Sequence, residues 1–301
     1  MTVEVVGLTV AGAAALLAGL VLARTRFAAA SGVGRALVLG PVFVATALAT
    51  FAAEHFLAAR DLMGLVPKWL PGPLFWTYFV GAALLAAAVS FIAWRCVRWS
   101  AALLALLFLI IVATIDLPNL GAGMHDRFFW ILTVRETCFA SGAMVLAGSV
   151  WPRGEWPGVA LMRIGRGIVA ATMIFYAIEH FLHPLHVPGV PLEKLTPAWM
   201  PAPAVLAYFV GICLLLGGIG LFIRPAIRIA AAGTGTVLAA LTALFYVPIM
   251  VIEIHSPLAV EGINYVGDTL LFAGTVLLAG LGAEATAAPQ DAEAKAATPT
   301  A

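Results

Sequence analysis

The sequence predicts an all-α polytopic membrane protein of about nine transmembrane helices. It is built as two parallel four-helix-bundle repeats behind an N-terminal transmembrane helix. Three observations carry this expectation. Of the 301 residues, 63% are hydrophobic and 10% charged. One soluble core of this length cannot bury so much apolar surface, so the main solvent must be lipid. Apolar runs of spanning length recur along the chain, and two stretches share an ordered set of short motifs.

The apolar runs fall at 5–23, 36–58, 74–94, 101–117, 128–150, 164–181, 205–223, 229–252 and 263–281. Each is near the roughly 20 residues that one crossing requires. The first is an anchor and not a cleavable signal: Arg24 and Arg26 follow the apolar stretch, whereas a secretory signal carries its basic residues ahead of it. It sets an N-terminal segment at 1–33. A first repeat then occupies 34–150, a cytoplasmic linker 151–162 and a second repeat 163–282. Pro248, inside the eighth run, should kink that helix. The stretch 283–301, rich in Ala, Pro and Thr, reads as a disordered cytoplasmic tail.

The repeat is explicit. Glu54-His55-Phe56 returns as Glu179-His180-Phe181, an offset of 125. Pro67-Lys68-Trp69-Leu70-Pro71-Gly72-Pro73 returns as Pro197-Ala198-Trp199-Met200-Pro201-Ala202-Pro203, and Tyr78-Phe79-Val80-Gly81 as Tyr208-Phe209-Val210-Gly211, both at offset 130. One five-residue insertion therefore separates the copies. Thr137, Gly142 and Gly148 match Thr269, Gly274 and Gly280 at offset 132. Four helices per copy is an even number, so both copies enter and leave on one face. A pseudo-two-fold axis along the membrane normal should relate them. Gly142 and Gly274 should allow close helix approach within each bundle, and the leading helix should pack outside the first.

Orientation follows from the arginines. Arg24, Arg26, Arg35, Arg95, Arg98, Arg153, Arg163, Arg166, Arg224 and Arg228 share one face, which the positive-inside rule makes cytoplasmic. The expected setting is a bacterial cytoplasmic membrane, with the N-terminus outside, the C-terminus inside and both Glu-His-Phe blocks facing outward. A net charge of +1 argues against nucleic acid as a partner. Cys96, Cys138 and Cys213 form no CxxC pair and read as small buried residues.

Charges inside apolar runs are the most informative residues. Glu54 and Glu179 end the first helix of each copy, Asp116 and Glu253 the third, while Glu136 and Asp268 lie near the start of the fourth. An acidic side chain facing lipid at mid-bilayer costs roughly 2.5–3.5 kcal/mol, so these groups should turn inward or lie near headgroups. Each copy thus gathers three carboxyls and a histidine, His55 or His180, beneath a Pro/Trp loop. A structural network is one reading, with Arg135 pairing Glu136 and the histidines bridging helices. A proton-active or ligand-binding pocket open to the outside is the other, and it suits a quinone headgroup.

The second copy adds His183, His186 and His255, the last beside Glu253. Imidazoles at 180, 183 and 186 suit Zn, Cu or Fe, although Pro184 interrupts the helix between them. A haem between His55 and His180 is a further possibility by symmetry. In the Pro-rich loops Trp69 and Trp199 are interfacial anchors, or else rigid covers over the carboxyl cluster. Gly217–Gly220 lies within a helix and has no nucleotide-binding context.

Together the His55-Phe56 and His180-Phe181 pairs, the loops 67–73 and 197–203 and the segments 78–81 and 208–211 resemble the DoxX/DoxD-like family of four-helix membrane proteins. The chain departs from that pattern by fusing two units, by placing Glu before each His-Phe, and by carrying Leu84 and Leu214 where an acid is expected. The resemblance implies a quinone- or redox-linked accessory subunit beside a membrane oxidoreductase, and it supplies no catalytic residues. The alternatives are a proton-coupled small-molecule or ion transporter and an assembly protein without ligand.

Overall fold

The computed structural model describes residues 2–283, so the expected tail lies, beyond Ala283, outside the described residues. Among them nine helices are long and apolar enough to cross a membrane: α1 (Val3–Ala29), α2 (Gly34–Leu57), α3 (Pro73–Ala93), α4 (Val97–Ala122), α5 (Arg127–Ser149), α6 (Trp156–Leu182), α7 (Pro203–Phe222), α8 (Arg224–Glu253) and α9 (Ala259–Ala279). The chain is an all-α integral membrane protein.

Local sequence sets the helix ends. Thr2 caps α1 through a hydrogen bond from the Val5 amide, and Asp126 caps α5 by accepting from the Phe128 amide at 2.9 Å. Pro73 and Pro203 open α3 and α7, where a missing amide hydrogen costs nothing. At the arginine-rich end the buried Arg166 of α6 donates to Ala279 O (2.9 Å) and Leu281 O (3.0 Å), filling the orphan carbonyls at the end of α9.

The copies interlock. The first helix of each repeat packs along the fourth helix of the other: α2 lies on α9, and α6 on α5. Glycines make these crossings close. A Cβ on Gly40 of α2 would sit 3.2 Å from Gly274 O and 3.1 Å from Leu277 Cβ; one on Gly165 of α6 would sit 2.5 Å from Ser141 O and 2.9 Å from Val145. Gly40 and Gly165 are equivalent at offset 125, Val145 and Leu277 at offset 132, so one contact is made twice by pseudo-symmetry. Gly142 likewise faces Thr275 of the other copy, and Gly274 faces Val44. The close approach expected within each bundle is therefore an approach between copies, because α5 and α9 pair at the centre and are shared by both rings. As expected, α1 packs outside, against α2. Gly274→Leu and Gly165→Leu should each lower the unfolding midpoint in detergent, by about 1–3 kcal/mol of overpacking or more, since backbone atoms stand in the way. Unchanged midpoints would count against this crossing.

The third helices share a device the sequence reading did not include. A π-helical turn runs over Val112–Asp116 in α4 and over Thr242–Tyr246 in α8, each followed two residues later by proline, Pro118 or Pro248. The i→i+5 bonding brings the helix to a proline that cannot donate, and α-helix resumes on the far side. This register also corrects a pairing. Asp116 corresponds to Tyr246, not to Glu253, which lies seven residues further on.

The repeated motifs meet one another. Phe56 stacks on Tyr78 with ring centroids 6.1 Å apart, and Phe181 lies 6.4 Å from Tyr208. Gly81 and Gly211 let α3 and α7 approach His55 and His180, where a Cβ would come within 2.7 and 3.1 Å of the histidine Cβ. The His-Phe and Tyr-Gly blocks are thus two sides of one helix crossing.

Candidate functional site

The first repeat encloses a cavity of about 670 Å³, bounded by α2, α3, α4, α5 and α9 and by the loop before α3. That volume falls within the range of small-molecule sites. Its walls are apolar, formed by Val80, Leu84, Phe108, Ile111, Phe139 and Leu271. Leu62, Leu65, Trp69 and Leu70 of the loop cover one end. A polar cluster stands among these walls: Glu54, His55, Arg135, Glu136, Asn264 and Asp268.

The helical register explains the convergence. Glu54 and His55 occupy the last turn of α2, Arg135 and Glu136 are adjacent on α5, and Asn264 and Asp268 share a face of α9 at a spacing of four. Because α9 belongs to the second repeat, the site needs both copies. Arg135 donates from Nη1 to Asp268 Oδ2 at 2.7 Å and from Nη2 and Nε to Glu136 Oε1 at 2.8 and 3.1 Å. Asn264 Nδ2 donates to Glu54 Oε1 at 2.9 Å. His55 Nδ1 lies 2.8 Å from Phe51 O; a carbonyl can only accept, so this nitrogen carries the hydrogen.

In the second repeat the corresponding space is taken up by its own loop. The inserted segment between α6 and α7 brings Val187 and Val190 to full burial. The Gly189 amide donates to His180 Nε2 at 2.8 Å, the Tyr246 hydroxyl to Pro188 O, and Arg127 Nη2 to Pro191 O. Gly189 has φ +102°, and a Cβ there would sit 3.1 Å from the Leu241 side chain, so both backbone and space favour glycine. The extra residues are a plug.

The plug decides which expected residues act together. Glu54, His55, Arg135, Glu136 and Asp268 line the cavity, with Trp69 over it. The counterparts of Glu54, His55 and Trp69 do not. Glu179 pairs with Arg127 at 2.6 Å, and His180 has Nδ1 on Tyr176 O and Nε2 on the plug. Trp199 lies against Phe245, with centroids 6.3 Å apart, away from the cavity. Glu253 belongs to a different cluster, where Lys194 bridges it and Glu261 at 2.9 Å each. Burial disfavours the Lys194 charge, but its hydrogen bonds to Glu261 and Glu253 outweigh this and raise the ammonium pKa. His255 is exposed beyond α8, and Asp116 is buried outside the cavity lining with Oδ2 unpartnered.

The histidine trio considered for a metal does not converge. Both His180 nitrogens are taken by backbone, while His183 and His186 stand edge to face at 5.7 Å. Among the described residues no three His, Cys, Asp or Glu side chains are placed to hold an ion. The same occupancy of His180 leaves no nitrogen for a haem iron. Asn264 is the site residue the sequence reading missed. Its signal was present: an amide four residues before Asp268 in an apolar run.

With this geometry in view, the comparisons add one finding. A family model described as "Domain of unknown function (DUF8561)" matches residues 44–118. That stretch covers most of α2, all of α3 and most of α4, which supply the Glu54-His55 pair and much of the apolar wall. No curated protein and no solved structure matches the chain.

Proposed function

We propose that this protein is a membrane-embedded binding subunit for a lipid-soluble, quinone-type molecule, held in the first repeat and presented to a redox partner on the outer side. The observation that carries the reading is a single cavity with long apolar walls and hydrogen-bonding side chains from three helices. An isoprenoid or alkyl tail fits such walls, and a ring with oxygens needs such an end. Entry from the bilayer is at the seam between α3 and α4, the least extensively packed of the consecutive helix pairs, where Phe79 and Ile110 line the cavity and are half exposed. The resemblance of the His-Phe, Pro-rich and Tyr-Gly segments to DoxX/DoxD-like proteins supports the same class. The second repeat, with its plug, serves as scaffold and contributes Asn264 and Asp268.

Purified protein extracted for lipid mass spectrometry should carry quinone-type molecules. The retained amount should fall at least about tenfold in Leu84→Trp, which fills the cavity, and in Glu54→Gln/His55→Ala, which removes part of its polar cluster. Equal retention in variants that remain monodisperse would end this reading.

A further inference from the structure

The polar cluster is not a neutral mixture of donors and acceptors. Three carboxyls, Glu54, Glu136 and Asp268, line the cavity against one guanidinium, and Arg135 already directs three N–H bonds at two of them. Because Asn264 Nδ2 is committed to Glu54, the amide is oriented and its Oδ1 is left buried with no partner. His55 donates from Nδ1 to Phe51 O, so its Nε2 is an acceptor. The hydroxyls of Thr77 and Thr114 and the Trp76 indole, all in the lining, spend their hydrogens on backbone carbonyls.

What remains is weighted toward acceptors: His55 Nε2 and, with two lone pairs each, the second oxygens of the three carboxyls, while Asn264 Oδ1 has no exposed surface and stays out of the count. Against them stand the Trp69 indole at the mouth, one Asn264 amide hydrogen and the guanidinium hydrogens not engaged by carboxylates. A buried acceptor left unpaired is costly, and a head that can only accept would leave these atoms so.

We infer that the cavity selects an amphiphile whose head donates hydrogen bonds, and hence the hydroquinone over the quinone form of a given molecule. This rests on the reading of the cavity as a quinone-type site and adds which form it takes. The two forms share ring and tail, so apolar burial cancels and only the polar difference is read. A hydroquinone offers two O–H groups to acceptors that a quinone carbonyl can only oppose.

The test uses full-length protein in nanodiscs without oxygen, with tryptophan fluorescence as readout, since Trp69 and Trp76 line the cavity. The probes are a decyl-substituted benzoquinone, its hydroquinone and dodecylammonium. The hydroquinone should bind at least about tenfold tighter than the quinone. In Glu54→Gln, which turns one acceptor oxygen into an amide donor and keeps an oxygen for Asn264 Nδ2, that ratio should fall by about threefold or more while elution on size exclusion is unchanged. Quinone binding as tight as hydroquinone overturns the inference and leaves the quinone-type reading in place. Binding of dodecylammonium alone overturns the quinone-type reading and retains a donating head. No binding of any probe overturns both.

Discussion

Arg135→Met should destabilise the protein by about 3–5 kcal/mol, the cost of removing one partner from a buried ion pair. Arg135 is the sole cation lining the cavity, and its side chain is 18% exposed between Glu136 and Asp268 at 14% and 11%. Without it, Glu136 and Asp268 stand beside Glu54 in largely apolar surroundings with no compensating cation in the cavity lining. Helix insertion should survive, because α5 remains apolar enough to cross. The loss should appear in denaturant or thermal unfolding of purified protein. Restoring neutrality distinguishes charge from packing: Arg135→Met with Glu136→Gln and Asp268→Asn should recover most of the loss, since no uncompensated buried charge is left at the three positions. Failure of that triple variant to recover would mean that Arg135 acts through its bulk.

Much of this arrangement was legible in the sequence, and the reason is physical. A lipid solvent forces long apolar runs, so the nine spans could be read directly, and the repeat was visible because Glu54-His55-Phe56 and Glu179-His180-Phe181 solve one packing problem twice. The pairing of Arg135 with Glu136 followed from two adjacent charges that lipid cannot accept. The exchange of fourth helices was not legible. In lipid every helix face is apolar, so periodicity does not reveal which neighbour a glycine such as Gly274 meets. The mispairing of Asp116 with Glu253 arose from counting helix ends, when the π-turn and proline fix the register and place Tyr246 there. Asn264 escaped because attention to charge passes over an amide, although a buried amide needs partners as much as a carboxylate does.

The plug offers the second large effect. Replacing residues 182–196 with 57–66, the shorter loop of the first repeat, should open a second cavity between α6, α7, α8 and the central pair. Val187 and Val190 would leave the core, and His180 Nε2 and the Tyr246 hydroxyl would lose Gly189 N and Pro188 O. Comparable truncations of packed cores, with polar groups left unsatisfied, cost on the order of 3–5 kcal/mol, so the chimera should unfold earlier in the absence of ligand. Native mass spectrometry should then show two amphiphiles per chain where the parent shows one. The second cavity would have Leu132 and Gly267 in the places of Asn264 and Arg135. Its guest should therefore be held by apolar contact together with the freed His180 Nε2 and Tyr246 hydroxyl, with no guanidinium in the arginine's place. Stability and stoichiometry both unchanged in the chimera would mean that the loop does not occupy the space. The second repeat thus spends its extra loop residues on filling the space that the first leaves open.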